Sequence, residues 1–199
     1  MQASELKIAG VFEFTPRTFP DDRGVFVAPF QSAVFEAAVG HPLRLGQTNH
    51  SVSRRGTIRG VHFSDVPPSQ SKYVYCPRGA LLDVVVDIRV GSPTFGQCDS
   101  VVLSADACNA MYLPEGLGHA MIALEDDTTM TYLCSTGYNP GAEHGINPLD
   151  PALELPWPSD LEFVLSDKDR DAPTLAEAAS TGLLPRYEDC LALYESLKA

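Results

Sequence analysis

Leu81–Val90 reads LLDVVVDIRV. Side chains along a strand point alternately to opposite faces, so Leu82, Val84, Val86, Ile88 and Val90 share one side. Leu81, Asp83, Val85, Asp87 and Arg89 share the other. The first face is wholly apolar, while the second mixes apolar and charged groups. This predicts a half-buried strand whose second face lines a polar interior or a wet surface. Comparable β-branched and aromatic runs recur at Val11–Phe14, Gly24–Phe30, Lys72–Cys76, Ser100–Leu103, Ala110–Leu113, Ala120–Leu124 and Thr128–Cys134. Turn-forming clusters such as Asp21-Asp22-Arg23-Gly24, Pro67-Pro68 and Gly91-Ser92-Pro93 separate them. Short strands at this spacing predict an antiparallel sandwich or barrel rather than βαβ units.

Helical patterns are few. Gln31–Val39 reads as a short helix ending at Gly40, and Pro148–Pro158 is proline-rich and irregular. Beyond Asp171, LAEAASTGLL and YEDCLALYESLKA read as helices interrupted by Gly182 and Pro185. The expectation is a single domain over residues 1–199, with a β core over 1–170 and a helical tail over 171–199.

The 199 residues carry a net charge of −12 and a mean hydropathy near zero, as ordinary globular chains do. That charge argues against nucleic-acid binding, which needs a basic footprint. No apolar run approaches membrane-spanning length, and the N-terminus lacks a secretion signal. Five cysteines without a CxxC pair read as buried or incidental thiols in a reducing compartment, so a cytoplasmic location is expected. Of 14 basic residues, Arg54, Arg55, Arg59, Lys72 and Arg78 lie close together in sequence. Such a segment is either a solvated turn or the holder of one small anion.

Dinucleotide, P-loop and nucleophile-elbow signatures are missing. Among five histidines, two stand out: His62 closes RGTIRGVHF (Arg55–Phe63), and His119 lies in LPEGLGHAM. Each is either a hydrogen-bonded structural residue or a group that moves protons near neutral pH. A regular strand would send Arg59 and His62 to opposite faces, so if both serve one pocket the strand bulges or twists at Gly60, or Arg59 reaches around a barrel mouth. Tyr132 and Tyr138 are either rim residues or functional phenols. The spacing Pro114, Gly116, His119 resembles the second motif of the cupin superfamily, small jelly-roll β-barrels. The H-x-H of metal-binding cupins has no counterpart, since Gly60 stands where the other histidine would be, and a metal-free barrel is expected.

Taken together, FPDDRGVF, QTNHSVSRRGTIRGVHF, KYVYCPRGALLDVVVDIRVGSPTFG, LPEGLGHA, the Tyr132–Tyr138 segment and LSDKDRDAPTL resemble the dTDP-4-dehydrorhamnose 3,5-epimerase family of metal-free cupins. The resemblance implies a mainly β, cupin-type jelly-roll barrel with short helices and a helical C-terminal tail. It implies an epimerase of a dTDP-linked 4-keto-6-deoxyhexose that needs no cofactor. Protons beside the C4 ketone would be removed and returned on the opposite face, at C3, C5 or both. By motif position His62 resembles the base and Tyr132 the proton donor. Lys72 and His119 resemble sugar and oxyanion contacts. Asp169 resembles the group that orients His62, with Asp83 the alternative. Arg23, Phe26, Gln47, Asn49, Arg59, Tyr138, Glu143 and Lys168 match nucleotide- or sugar-binding positions, Tyr138 as a stacking face. The resemblance also implies a homodimer with N-terminal strand exchange, which would carry Arg23 and Phe26 to the neighbour's pocket. Several positions depart from the family pattern: Ala28 for a base-contacting glutamate, Thr48 within Gln47-Thr48-Asn49, Ser64 after His62-Phe63, and Ala120-Met121 after His119. These departures resemble the branch serving deoxysugars of secondary metabolism. Alternatives are a sugar-nucleotide 3,4-ketoisomerase on the same scaffold, a non-catalytic sugar-binding cupin and a metal-dependent oxygenase.

Overall fold

The Leu81–Val90 segment is not half-buried as expected: both faces are largely buried from Leu81 to Arg89, because covering layers pack on either side of its sheet, and only Val90 is exposed. The computed structural model describes residues 1–198. In chain order the strands are β1 (Gln2–Glu5), β2 (Phe12–Thr15), β3 (Thr18–Asp21), β4 (Gly24–Val27), β5 (Gln47–Ser53), β6 (Ile58–Ser64) and β7 (Lys72–Arg78). They continue with β8 (Ala80–Val86), β9 (Cys98–Ser104), β10 (Ala110–Leu113), β11 (Gly118–Ala123), β12 (Thr128–Cys134) and β13 (Glu143–Gly145). The helices are α1 (Ser32–Val39), α2 (Asp167–Arg170), α3 (Leu175–Ser180) and α4 (Tyr187–Leu197). One antiparallel sheet runs β1-β2-β10-β7-β12-β5 and the other β13-β6-β11-β8-β9, while β3 and β4 form a separate hairpin. This is the jelly-roll cupin architecture expected from the sequence.

Three apolar clusters explain the layers. Val74, Leu81, Val85, Leu103, Met111 and Met121 meet between the two sheets. Val61, Phe63, Val84, Val86 and Ile88 face outward from the five-stranded sheet and are covered by Ile146, Leu153, Leu175, Ala178 and Leu184 of the C-terminal third. Phe14, Tyr73, Ala110 and Tyr112 of the six-stranded sheet pack on Phe35 of α1. Aliphatic and aromatic burial of this kind stabilises by roughly 25 cal/mol per Å2. The helical tail therefore seals the outer face of one sheet.

The charged face of β8 is dry, so the wet-surface alternative is excluded. The strand also stops at Val86 instead of reaching Val90. Asp87 ends it by accepting hydrogen bonds from Arg89 Nε (2.9 Å), Arg89 Nη2 (2.8 Å), Ser92 Oγ (2.6 Å) and Thr94 Oγ1 (2.6 Å), which folds the chain into a turn. Arg89 Nη1 also donates to the Tyr194 hydroxyl at 3.2 Å, and Tyr194 donates to the Glu115 carbonyl, fastening α4 to the barrel. Other expected strands shift at their ends: Gly24–Phe30 is only the short β4, and β5 was not anticipated.

Candidate active site

Strand β6 places His62, and Gly60 decides where it points. In the β6–β11 ladder His62 pairs with His119 and Arg59 with Met121, so three steps on β6 oppose two on β11. That is the bulge, one of the expected alternatives, and it brings Arg59 and His62 to one cavity. Gly60 adopts φ +115°, and a Cβ there would collide with the His119 carbonyl oxygen and lie 2.7 Å from Ala120 Cα. Only glycine fits this position without backbone movement.

The cavity holds about 490 Å3 between the two sheets at one end of the barrel. His62, Tyr132, Lys72, His119, Arg59, Lys168 and Asp169 all line it. Strands β6, β7, β11 and β12 supply the first five and α2 the last two, while the segment entering α2 lines the same cavity. A parallel bridge between Thr57 and Val164 anchors that segment.

His62 Nε2 lies 2.6 Å from Asp169 Oδ1, across 107 residues of sequence. With the carboxylate accepting from Nε2, the neutral ring keeps its lone pair on Nδ1. Burial pushes the Asp169 carboxyl up, but the His62 ring, the Ser166 hydroxyl and the Gly60 backbone N–H outweigh it and hold it below the usual range. Asp83, the alternative orienter, instead pairs with His119 Nε2 at 2.6 Å, where both residues are buried. Burial raises the Tyr132 phenol, Cys134 and Glu143 raise it further, and Arg59 and the Asn49 amide pull it back. The phenol therefore stays protonated at neutral pH and holds a proton to give.

Of the clustered basic residues, Arg54, Arg59 and Lys72 reach the cavity, where Lys168 joins them. Arg55 turns instead to Asp160 (3.7 Å) and the Leu124 carbonyl (3.2 Å), and Arg78 to Asp127 (3.1 Å). The anion-holding alternative thus applies to only part of the segment.

Other predicted site residues lie apart. Arg23 pairs with Asp21 on the exposed β3–β4 hairpin, and Phe26 on the same hairpin is 70% exposed. Tyr138 is 61% exposed, beyond the cavity lining. Glu143 borders a neighbouring hollow with Lys168 and Asp169 and accepts from Ser64 Oγ at 3.0 Å. Asn49 sits across the β5–β12 ladder from Tyr132 and Gln47 from Cys134, and neither lines the cavity. Residues the sequence did not single out also line it: Ser51, Ser53, Met121, Met130 and Val164–Ser166. Burial alternates along β5, but its residues are polar on both faces except Val52, so the sequence carries little signal for it. Among the described residues, no three His, Cys, Asp or Glu side chains gather as metal ligands would, and no helix is long and apolar enough to cross a membrane.

A histidine held by a carboxylate, a protonated tyrosine and an uncommitted lysine around one cavity can remove and return a proton beside a carbonyl. Several known proteins are similar to this chain over nearly its whole length. The dTDP-4-dehydrorhamnose 3,5-epimerase of Mycolicibacterium smegmatis is 53% identical over 198 residues, covering 100% of this chain and 98% of that protein. The structure of the rmlC epimerase of Mycobacterium tuberculosis superimposes with a TM-score of 0.96 at 45% identity, covering 99% of this chain and 100% of that one. ChmJ, a 3'-monoepimerase from Streptomyces bikiniensis, was solved with dTDP as a mutant with one histidine and one tyrosine replaced. It aligns with a TM-score of 0.95 at 45% identity, over 98% of each chain. The family model described as dTDP-4-dehydrorhamnose 3,5-epimerase matches residues 5–177, and the chain belongs to that family.

Proposed function

We propose that the protein epimerises a dTDP-linked 4-keto-6-deoxyhexose at C3, C5 or both, for deoxysugar biosynthesis. The observation that carries this reading is the shared cavity of His62 and Tyr132. His62 takes the proton from the carbon beside the C4 ketone, and the C–H electron pair moves into an enolate. Lys72 stabilises the developing oxyanion, a preorganised donor of this kind contributing about 3 kcal/mol, and His119 contacts the sugar beside it. Tyr132 then protonates the opposite face, and solvent restores both groups. Both C3 and C5 flank the ketone, so one set of groups serves either centre. A histidine and a tyrosine are also the residue types replaced in the ChmJ mutant.

Arg59, Arg54 and Lys168 supply the positive charge that a diphosphate needs. Tyr138 offers an exposed ring to the nucleotide base. A homodimer completes the site in this reading. The β3–β4 hairpin exposes Phe19, Val25 and Phe26, and β5 is an unpaired edge of the six-stranded sheet, so a second subunit has apolar surface and a strand edge to cover.

The test is NMR of dTDP-4-keto-6-deoxyglucose incubated with the protein in deuterium oxide, without added metal or nicotinamide. Deuterium should enter C3 or C5. A carbonyl moved to C3 would select the ketoisomerase instead, and binding without exchange at any carbon would select a silent sugar-binding protein.

A further inference from the structure

Strand β5 carries Gln47, Asn49, Ser51 and Ser53 on one face and Thr48, His50 and Val52 on the other. The first face looks inward, yet only its Ser51 and Ser53 reach the cavity wall. In the β5–β12 ladder Asn49 sits directly opposite Tyr132, and Gln47 opposite Cys134. Their hydrogen bonds run in a single direction. The Tyr138 backbone N–H donates to Gln47 Oε1 at 2.9 Å. Gln47 Nε2 donates to Asn49 Oδ1 at 2.6 Å. Asn49 Nδ2 donates to Cys134 Sγ at 3.6 Å, and Tyr132 stands directly across the ladder from Asn49.

We propose that Gln47 and Asn49 are positioning residues for the proton donor, forming a chain of amides that aims an N–H group at the Tyr132 oxygen. This rests on the reading of Tyr132 as proton donor. A side-chain amide can turn over and exchange its donor for its acceptor end. Here the chain begins at a backbone N–H, which cannot turn over. That donor fixes the oxygen of Gln47, the amide of Gln47 then fixes the oxygen of Asn49, and only N–H groups of Asn49 remain for Cys134 and Tyr132. When Tyr132 gives its proton to the enolate carbon, a new C–H bond forms and the phenol becomes a phenolate in a half-buried place. An aimed N–H stabilises that phenolate more than the phenol, so it favours the return step and leaves proton removal by His62 untouched. The chain also starts at Tyr138, so the loop that meets the nucleotide and the acid that completes the reaction share one set of bonds.

The test separates the two half-reactions. Asn49→Asp keeps the shape but replaces the N–H donors by an acceptor. Gln47→Glu still accepts from Tyr138 but no longer donates to Asn49. In deuterium oxide, Asn49→Asp should lower epimerisation about 100-fold and Gln47→Glu about 10-fold. Deuterium exchange at the attacked carbon should fall less than about 3-fold in both, with unchanged thermal melting. Equal losses of exchange and epimerisation, or no loss at all, would overturn the positioning role. Gln47→Glu carries the same ratio test should Asn49→Asp not fold. Tyr132→Phe is the reference. If it selectively lowers epimerisation while the amide variants do not, only this inference fails. If Tyr132→Phe leaves the ratio unchanged, the donor assignment itself fails and takes the inference with it.

Discussion

Two histidine–aspartate pairs stand side by side where β6 meets β11, with His62 opposite His119 in the ladder. Both close at 2.6 Å. Their surroundings differ. His62 is 35% exposed and its partner Asp169 arrives on a short helix from the C-terminal third, backed by Ser166 and the Gly60 N–H. His119 and Asp83 are 9% and 0% exposed, and Asp83 Oδ2 has no partner. Identical pairing thus serves two purposes. The more open ring can take up a proton and pass it on, whereas the His119 ring, nearly buried in the wall of the same cavity, is held in one orientation and costs the fold a desolvated carboxylate.

The contrast can be broken most sharply at the open pair. His62→Ala should lower deuterium exchange about 1,000-fold while stability in urea falls by only about 1–2 kcal/mol, the net worth of the lost hydrogen bond to Asp169. Comparable loss of stability would place His62 among the structural residues. At the closed pair the balance reverses. Asp83→Ala should cost about 3 kcal/mol in urea unfolding, since it strands a buried imidazole. A shift below about 0.5 kcal/mol would mean that the interior pair contributes nothing net.

The smallest effect sharpens the comparison through pH. Asp169 has a folded-state pKa below its ordinary 3.8. Its contribution to stability is therefore complete above the unfolded value and disappears as pH falls through the folded one. The stability difference between the parent and Asp169→Asn, measured by urea unfolding at pH 7 and again near pH 3, should narrow at the lower pH. A difference that widens toward acid would reverse the sign and exclude a depressed carboxyl.

The sequence disclosed these features unequally. The alternation in Leu81–Val90 is local, and it identified the two faces of β8 correctly. Its end at Val86 depends on Asp87 meeting Arg89, Ser92 and Thr94, a cluster tied onward to Tyr194 more than 100 residues away. Gly60 narrowed the choice to a bulge, a twist or a long reach by Arg59, and the ladder register shows the bulge. Asp169 was reachable only through family resemblance, as no periodicity links it to His62. Strand β5 was overlooked for a physical reason: its inward residues are polar and its outward Val52 is exposed, which inverts the usual signal. Arg23 and Phe26 matched a motif yet lie on a hairpin away from this chain's own cavity, as exchange between subunits would require.

The cationic rim has a consequence for encounter rates. Arg54, Arg59, Lys72 and Lys168 surround one opening on a molecule whose net charge is −12. A dianionic ligand is repelled over most of the surface and drawn toward that mouth, so the field itself selects the productive approach. Such guidance weakens with ionic strength, as ions screen it over about 8 Å in physiological salt. The acidic exterior therefore works as part of the entrance, discouraging idle contacts elsewhere on the protein.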